Sequence, residues 1–449
     1  MQFITLLDYF LLPFYLVIIY TIAIFIRNNN YPPGHPWRPY FLTGLTVKIV
    51  GAILIGMIYQ YYYGGGDTEG YFYHATIINS SFSESFNKWV NLILHTPPWY
   101  DGEYSAYISK MLWYQTKAEY TVSSIAAFLG IFTLTKYLPI AVLFGTLAYT
   151  GSWALFRTFA IKYPAYTRQI AWCCLFIPST VMWGSGLFKD TLCMGALGWL
   201  TYSTFRILVN RELKPINFFI LISSFILIAK IKLYILLGFI PALVLWVLFS
   251  YSHNIKSSMK RTLVKVSVIA LCTGGFLFVT QKFAMELGGY SLSNVAETSY
   301  TTSRNIAINS GDEGSSYSLG VMDPSLGSMI KKFPLAVNVT LFRPYLWETR
   351  KVIQLISALE TTLFLWVTIK LIIALGIGRI WRTISTDPTI QFCLIFTIIF
   401  AFAVGMSSGN FGTLSRYRIP CLPFFSLSLI LIYYKNRPVE NNILSFNFK

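Results

Sequence analysis

Residues 4–26 read ITLLDYFLLPFYLVIIYTIAIFI, and the class of the molecule follows from this stretch. A helix rises about 1.5 Å per residue, so a run of this length crosses a hydrocarbon core of roughly 30 Å. The run is longer than a signal-peptide core, no basic residue precedes it and no small-residue cleavage site follows it. It therefore reads as a retained helix. Comparable runs of about 18 or more residues recur as far as Tyr434. Lipid offers no hydrogen bonds, so each run must satisfy its own backbone, and the expected class is all-α.

Composition points the same way. The chain has 449 residues, 55% hydrophobic, 17% aromatic and only 12% charged, with a mean hydropathy of +0.56. Soluble proteins carry about a quarter charged residues, so a water-soluble globular domain is excluded. The formal charge of +17 is spread over short loops between apolar runs, with no basic tail. Membrane topology and anionic lipid or phosphate explain it better than nucleic acid. The six cysteines, Cys173, Cys174, Cys193, Cys272, Cys393 and Cys421, sit in or beside apolar runs and read as packing residues. Four histidines, His35, His74, His95 and His253, lack zinc-type spacing, so neither metal nor cofactor is expected.

Basic residues near helix ends stay in the cytoplasm, which orients the chain. Inside anchors are Arg27 and Arg38; Arg157, Lys162 and Arg168; Arg206, Arg211 and Lys214; Lys256, Lys260, Arg261 and Lys265; Arg379 and Arg382; and Lys435 and Arg437. Alternation between them predicts a polytopic bundle forming a single integral membrane domain over 1–449, with about eleven crossings, the N-terminus outside and the C-terminus inside. Thr121 to Thr135 is apolar but short, and reads as a re-entrant or interfacial element before a helix from Tyr137 to Phe156. Two long hydrophilic stretches then lie outside, 64–120 and 284–353. The first is rich in Trp and Tyr and suits short amphipathic helices at headgroup level. The second has a Gly/Ser-rich centre, Asn309 to Gly320, that reads as mobile.

With this topology the unusual polar residues collect at the outer face. GGGDTEGY (64–71) puts Asp67 and Glu69 just beyond the second helix, where glycines let the backbone turn tightly and approach a ligand. PSTVMWGSGLFKD (178–190) breaks one helix at Pro178 and the paired glycines, and sets Asp190 as an N-cap of the next, beside Lys189. Lys230 and Lys232 interrupt an apolar stretch that turns at this point. In FRPYLWETR (342–350) Arg343 offers a planar fork suited to phosphate, and Glu348 is placed to orient it or to pair with Arg350. SSGNFGTLSRYRIP (407–420) sets Arg416 and Arg418 around a tyrosine, on the side where topology does not call for cations. Each motif also has a plainer reading: a solvated glycine turn, helix ends in the headgroup region, snorkelling lysines, or lipid-phosphate anchoring without specificity.

Carboxylates beside several cations on one membrane face resemble the membrane-embedded glycosyltransferases of the GT-C type and the related O-antigen and exopolysaccharide polymerases. Asp67 and Glu69 look like the acidic pair of the outer loop in GT-C enzymes, although here the pair follows the second helix and not the first. WGSGLFKD (183–190) and LSRYRIPCLP (414–423) are similar to segments of bacterial polysaccharide-assembly proteins. The resemblance implies a multi-pass enzyme of the bacterial cytoplasmic membrane that takes a polyprenyl-phosphate-linked sugar at the extracytoplasmic face and passes it, with inversion, to a hydroxyl of a glycan or other acceptor. Asp67 would be the base with Glu69 beside it, and Arg416, Arg418, Arg343 and Lys189 would meet the phosphate charge. A repeat-unit polymerase, a lipid-linked oligosaccharide flippase and a scaffold subunit remain as other readings. The flippase predicts midplane charges and inverted repeats, and no repeat is visible. The topology predicts that single cysteines near Asp67, Ser315 and Thr413 label from outside in intact cells and that those near Asn210 and Ser257 do not. Labelling at Asn210 would overturn the map.

Overall fold

The structure, a computed structural model, describes residues 2–252, scattered positions between 257 and 274, and residues 294–309, 316–320, 325–349 and 352–436. Lys256, Arg261, Lys265, Cys272, Ala284, Arg350 and Arg437 lie outside the described residues. Among those described, regular structure is entirely helical, apart from one isolated antiparallel bridge between Ser316 and Asn410. Among the described residues seven helices are long and apolar enough to cross a membrane, and a bent pair, Phe411–Tyr417 with Leu422–Lys435, makes eight if taken as one span. These are the helices of a multi-pass membrane protein. The chain forms two compact units, Met1–Leu236 and Leu237–Lys449.

The first unit contains α1 (Leu6–Asn30), α2 (Arg38–Ile58, continued by a π-helical turn over Tyr59–Tyr63), α3 (Asp67–Ser80), α4 (Phe86–Leu94), α5 (Ser105–Ile108), α6 (Lys117–Ile131), α7 (Tyr137–Lys162), α8 (Thr167–Leu175), α9 (Pro178–Trp183), α10 (Lys189–Thr204) and the first part of α11 (Pro215–Ser252). Contacts sort the helix ends into two groups. At one end, the amides of Phe3 and Ile4 donate to Gln60 Oε1 at 3.0 and 3.2 Å, and Leu138 N donates to Asp8 Oδ1 at 2.9 Å. The rings of Tyr59 and Phe188 lie 5.2 Å apart there. The start of α1, the end of α2 and the starts of α7 and α10 therefore meet. At the opposite end Trp153 Nε1 donates to the Tyr31 hydroxyl at 2.9 Å, Arg157 donates to the Tyr202 hydroxyl at 2.6 Å, and Arg206 pairs with Glu212. Arg38, Arg157 and Arg206 thus share one end of this unit, and Asp67, Lys189 and Asp190 the other.

Residues 167–188 run alongside α2 in the same direction. Leu175 lies against Gly44, the Val181 carbonyl faces Gly51, Gly186 packs on Ile55 and Phe188 on Tyr59. Pro178 lacks an amide proton and interrupts the ladder, so the passage is two short helices followed by a turn over 184–188. Carbonyls freed by such a break need a donor in lipid. Buried Lys48 of α2 supplies it, donating to Thr180 O at 3.0 Å and Gly184 O at 2.8 Å. α11 also departs from a single rod. At about 1.5 Å per residue a helix of this length would far exceed a bilayer core, and Lys232 breaks it with φ −145° and ψ 74°, where the sequence predicts a turn. The stretch Thr121 to Thr135 falls mostly in α6, whose 15 residues pack on α3, with Asn79 Nδ2 donating to Ala127 O and Thr135 Oγ1 at 2.9 Å. The short helices expected in 64–120 are present as α3, α4 and α5.

The second unit holds the rest of α11, α12 (Val295–Asn309), α13 (Leu326–Lys331), α14 (Phe333–Phe342), α15 (Val352–Thr386), α16 (Pro388–Ser407), α17 (Phe411–Tyr417) and α18 (Leu422–Lys435). An aromatic core joins α11, α16 and α18: Trp246 stacks on Phe392 at 4.6 Å, and Phe239 packs edge-on to Phe396 and Phe424. The five described cysteines are buried, as packing residues would be. Of the Asn309–Gly320 stretch expected to be mobile, Ser316–Gly320 is docked, with Tyr317 N donating to Gly409 O at 3.1 Å.

The closest helix crossing joins α7 and α10 in the first unit. A methyl group on Gly151 would strike the Gly195 carbonyl, and one on Gly198 the Gly151 carbonyl. Small residues of this kind let two backbones touch where lipid gives no hydrophobic drive to association. Gly151→Ala forces the helices apart and should destabilise by about 1–3 kcal/mol, the usual cost of overpacking. A lowered thermal midpoint in detergent checks it; an unchanged midpoint would show that the crossing yields.

Candidate functional site

The glycine turn predicted to approach a ligand adopts backbone angles that only glycine takes readily. Gly64, Gly65 and Gly66 have φ of 71°, 137° and 135°. The turn ends the π-helical extension of α2 and starts α3, with Gly66 at the N-cap and Asp67 and Glu69 in the first turn. Asp67 is exposed and Glu69 half-buried, its carboxylate folded against Gly65. Buried Thr68 fixes the turn to the start of α7 through a 2.7 Å hydrogen bond between its hydroxyl and that of Tyr137.

Tyr59 connects this turn to the second motif. Its ring lies 2.8 Å from where a side chain on Gly66 would begin and 5.2 Å from the ring of Phe188. Phe188 is the N-cap of α10, so Lys189 opens the helix and Asp190 follows inside the first turn. This corrects the expectation that Asp190 is itself the cap: the chain enters the helix two residues earlier. Asp190 forms an ion pair with Lys232, both side chains at least 94% enclosed. Lys189 donates to Glu119 Oε1 at 2.5 Å. Lys230 is exposed and near His95, whose imidazole is held low first by burial and then by the charges of Lys117 and Lys230. Asp67, Glu69, Lys189, Asp190, Lys230 and Lys232 thus belong to one end of the first unit, and Glu119 joins them.

His74 is buried beside Trp113, with Nδ1 unpartnered among the described residues, and burial pulls its imidazole down to about 4. Sequence reasoning missed Glu119, Lys48 and Asp8. Lys48 and Asp8 each stand alone in an apolar run, a signal that was available, since a lone charge at membrane depth is costly unless paired. Glu119, in the first turn of α6, falls in a hydrophilic stretch of the sequence and carries no such mark.

In the second unit Arg343 is paired with Glu348, which accepts from Arg343 Nε on both oxygens at 3.0 Å and also from Tyr345 N at 2.8 Å. The guanidinium lies over the Phe411 ring at 5.2 Å. Of the two partners open to Glu348 in the sequence, Arg343 is paired with it, and Arg350 lies outside the described residues. Arg418 is fully enclosed: Nη1 donates to Thr340 O at 3.2 Å and Arg343 O at 2.8 Å, Nη2 to Ser357 Oγ at 2.7 Å, and Glu360 lies 3.6 Å away. Its donors close the C-terminal end of α14, so it is not presented to a lipid headgroup as the sequence suggested; an arginine two residues before a proline can serve either end. Arg416 is half-buried.

Among the described residues no three His, Cys, Asp or Glu side chains group as metal ligands do. Compared with known proteins, the chain matches no family model, no curated protein and no solved structure. The geometry alone bears on function. Removing one partner of the buried Asp190–Lys232 pair strands the other charge, so Asp190→Asn should cost about 3–5 kcal/mol. Asp190→Asn with Lys232→Met should recover most of it. Thermal unfolding of both variants in detergent checks the coupling, and equal loss in single and double variants would show that the pair is not a unit.

Proposed function

We propose that the chain is a membrane-embedded glycosyltransferase, acting at the extracytoplasmic face of a bacterial cytoplasmic membrane on a polyprenyl-phosphate-linked sugar, in the assembly of a cell-surface polysaccharide or glycoconjugate. The observation that carries this reading is the exposed Asp67, set by a three-glycine turn at the same helix end as Lys189. Such a carboxylate can take the proton of an acceptor hydroxyl as its oxygen attacks the anomeric carbon. The bond from that carbon to the phosphate oxygen breaks, and the leaving phosphate keeps the electron pair. Lys189, steadied by Glu119, supplies a cation where that charge develops. Asp67 returns its proton to water. Glu69, folded against the turn, orients its neighbour.

About eleven crossings fit this reading. Seven helices support it, eight with the bent pair, and the remaining crossings are proposed at the broken passage 167–188, at the separation of α11 at Lys232 and outside the described residues.

Asp67→Asn keeps shape and removes basicity, so transfer should fall by roughly 10² to 10⁴-fold, the contribution of a positioned base. The protein should insert and unfold as the native chain does, and Glu69→Gln should cost less. Polysaccharide or glycoconjugate production in cells carrying each variant measures this. Full production with both variants would remove the mechanism from this loop.

A further inference from the structure

Within the second unit a cleft of about 420 Å³ opens among α12, the segment 316–320 and the end of α16. Its size falls in the range of small-molecule sites, about 300–1,000 Å³. One wall is a single face of α12, where Tyr300, Ser303 and Arg304 recur at helical spacing. Segment 316–320 forms the other, and it is held firmly: Ser316 bridges Asn410, Tyr317 N donates to Gly409 O at 3.1 Å, and the Tyr317 hydroxyl donates to Gly405 O at 3.0 Å.

The turn beneath explains part of the SSGN stretch that the transferase mechanism leaves unused. Gly409 has φ +47°, and a side chain on it would strike the Ser303 carbonyl, so α12 lies directly on the turn. Asn410 caps α17, accepting from Gly412 N at 2.6 Å and Thr413 N at 3.3 Å. Glycine and asparagine therefore lock the two walls together.

The lining has a definite chemistry. Among the described lining residues Arg304 is the one charged group, and it is exposed. Ser303, Ser316, Ser318 and Tyr300 bring hydroxyls, and half-buried Tyr300 also brings a ring that can pack on the C–H face of a pyranose. A second cation stands at the edge, Lys332 Nζ, 3.2 Å from where a side chain on Gly320 would begin. Hydroxyl donors, aromatic faces and a guanidinium suit a hydroxylated ring that carries an anion.

We infer that this cleft binds a phosphorylated sugar, with Arg304 on the phosphate and Tyr300 and the serine hydroxyls on the ring. The source of that sugar, a lipid-linked donor or a growing chain, rests on the transferase reading; the binding chemistry does not. Equilibrium binding of glucose 1-phosphate and of inorganic phosphate to the full chain in nanodiscs tests it. Glucose 1-phosphate should bind saturably and more tightly than inorganic phosphate. Arg304→Gln, at an exposed position, should weaken glucose 1-phosphate by about ten- to a hundredfold, as expected for loss of a charge-assisted hydrogen bond. Tyr300→Ala should weaken glucose 1-phosphate and leave inorganic phosphate unchanged. Asp67→Asn should bind as the native chain does, so failure of the transferase reading leaves this readout intact. Absence of saturable binding, equal affinity for inorganic phosphate, or an Arg304→Gln protein that binds normally would overturn the assignment.

Discussion

Every peptide group in a bilayer must find its partner within the protein, and both units are organised by that constraint wherever a helix stops or breaks. Lys48 donates to two carbonyls freed by the interrupted α8–α9 passage. Asp8 accepts the Leu138 amide at the start of α7, while also capping its own helix through Thr5 at 2.8 Å. Arg418 closes the end of α14. Three buried charges, each costly to insert, are thus fixed by backbone groups at helix ends. Irregular segments become possible at membrane depth only because of them.

The polar residues at the Asp67 end of the first unit divide by role. Asp190 and Lys232 neutralise each other out of solvent, and Lys189 and Glu119 pair at a more open position. Asp67 is exposed on a turn built from glycines. Charges that hold helices together are enclosed, and the carboxylate proposed as a base is open to solvent.

Much of this was legible in the sequence because lipid simplifies the code. Apolar runs gave the helical class, Lys232 gave the bend in α11, and the alternation of basic loops matches the two groups of helix ends in the first unit. Partner choice was less accessible. Arg418 and Arg416 are equivalent on paper, yet one is enclosed and the other half-buried, a difference set by α14 and α15 some 60 to 80 residues earlier in the chain. Glu119 was missed because a carboxylate in a hydrophilic stretch announces nothing until its lysine is found. The 316–320 segment reads as loose from its glycine and serine content, but its order comes from Gly405 and Gly409 far along the chain.

The interrupted passage at 167–188 has a mechanical consequence. A continuous helix has a fixed length and meets a thicker or thinner bilayer by tilting or by deforming the lipid. A passage of two short helices and a turn can trade helical rise, about 1.5 Å per residue, for extended rise, about 3.3 Å. Two or three residues changing state would alter its span by several ångströms. The Lys48 ammonium, with three donors on a flexible stem, can follow the carbonyls as they shift. Membrane thickness thereby becomes a variable that this protein can absorb locally.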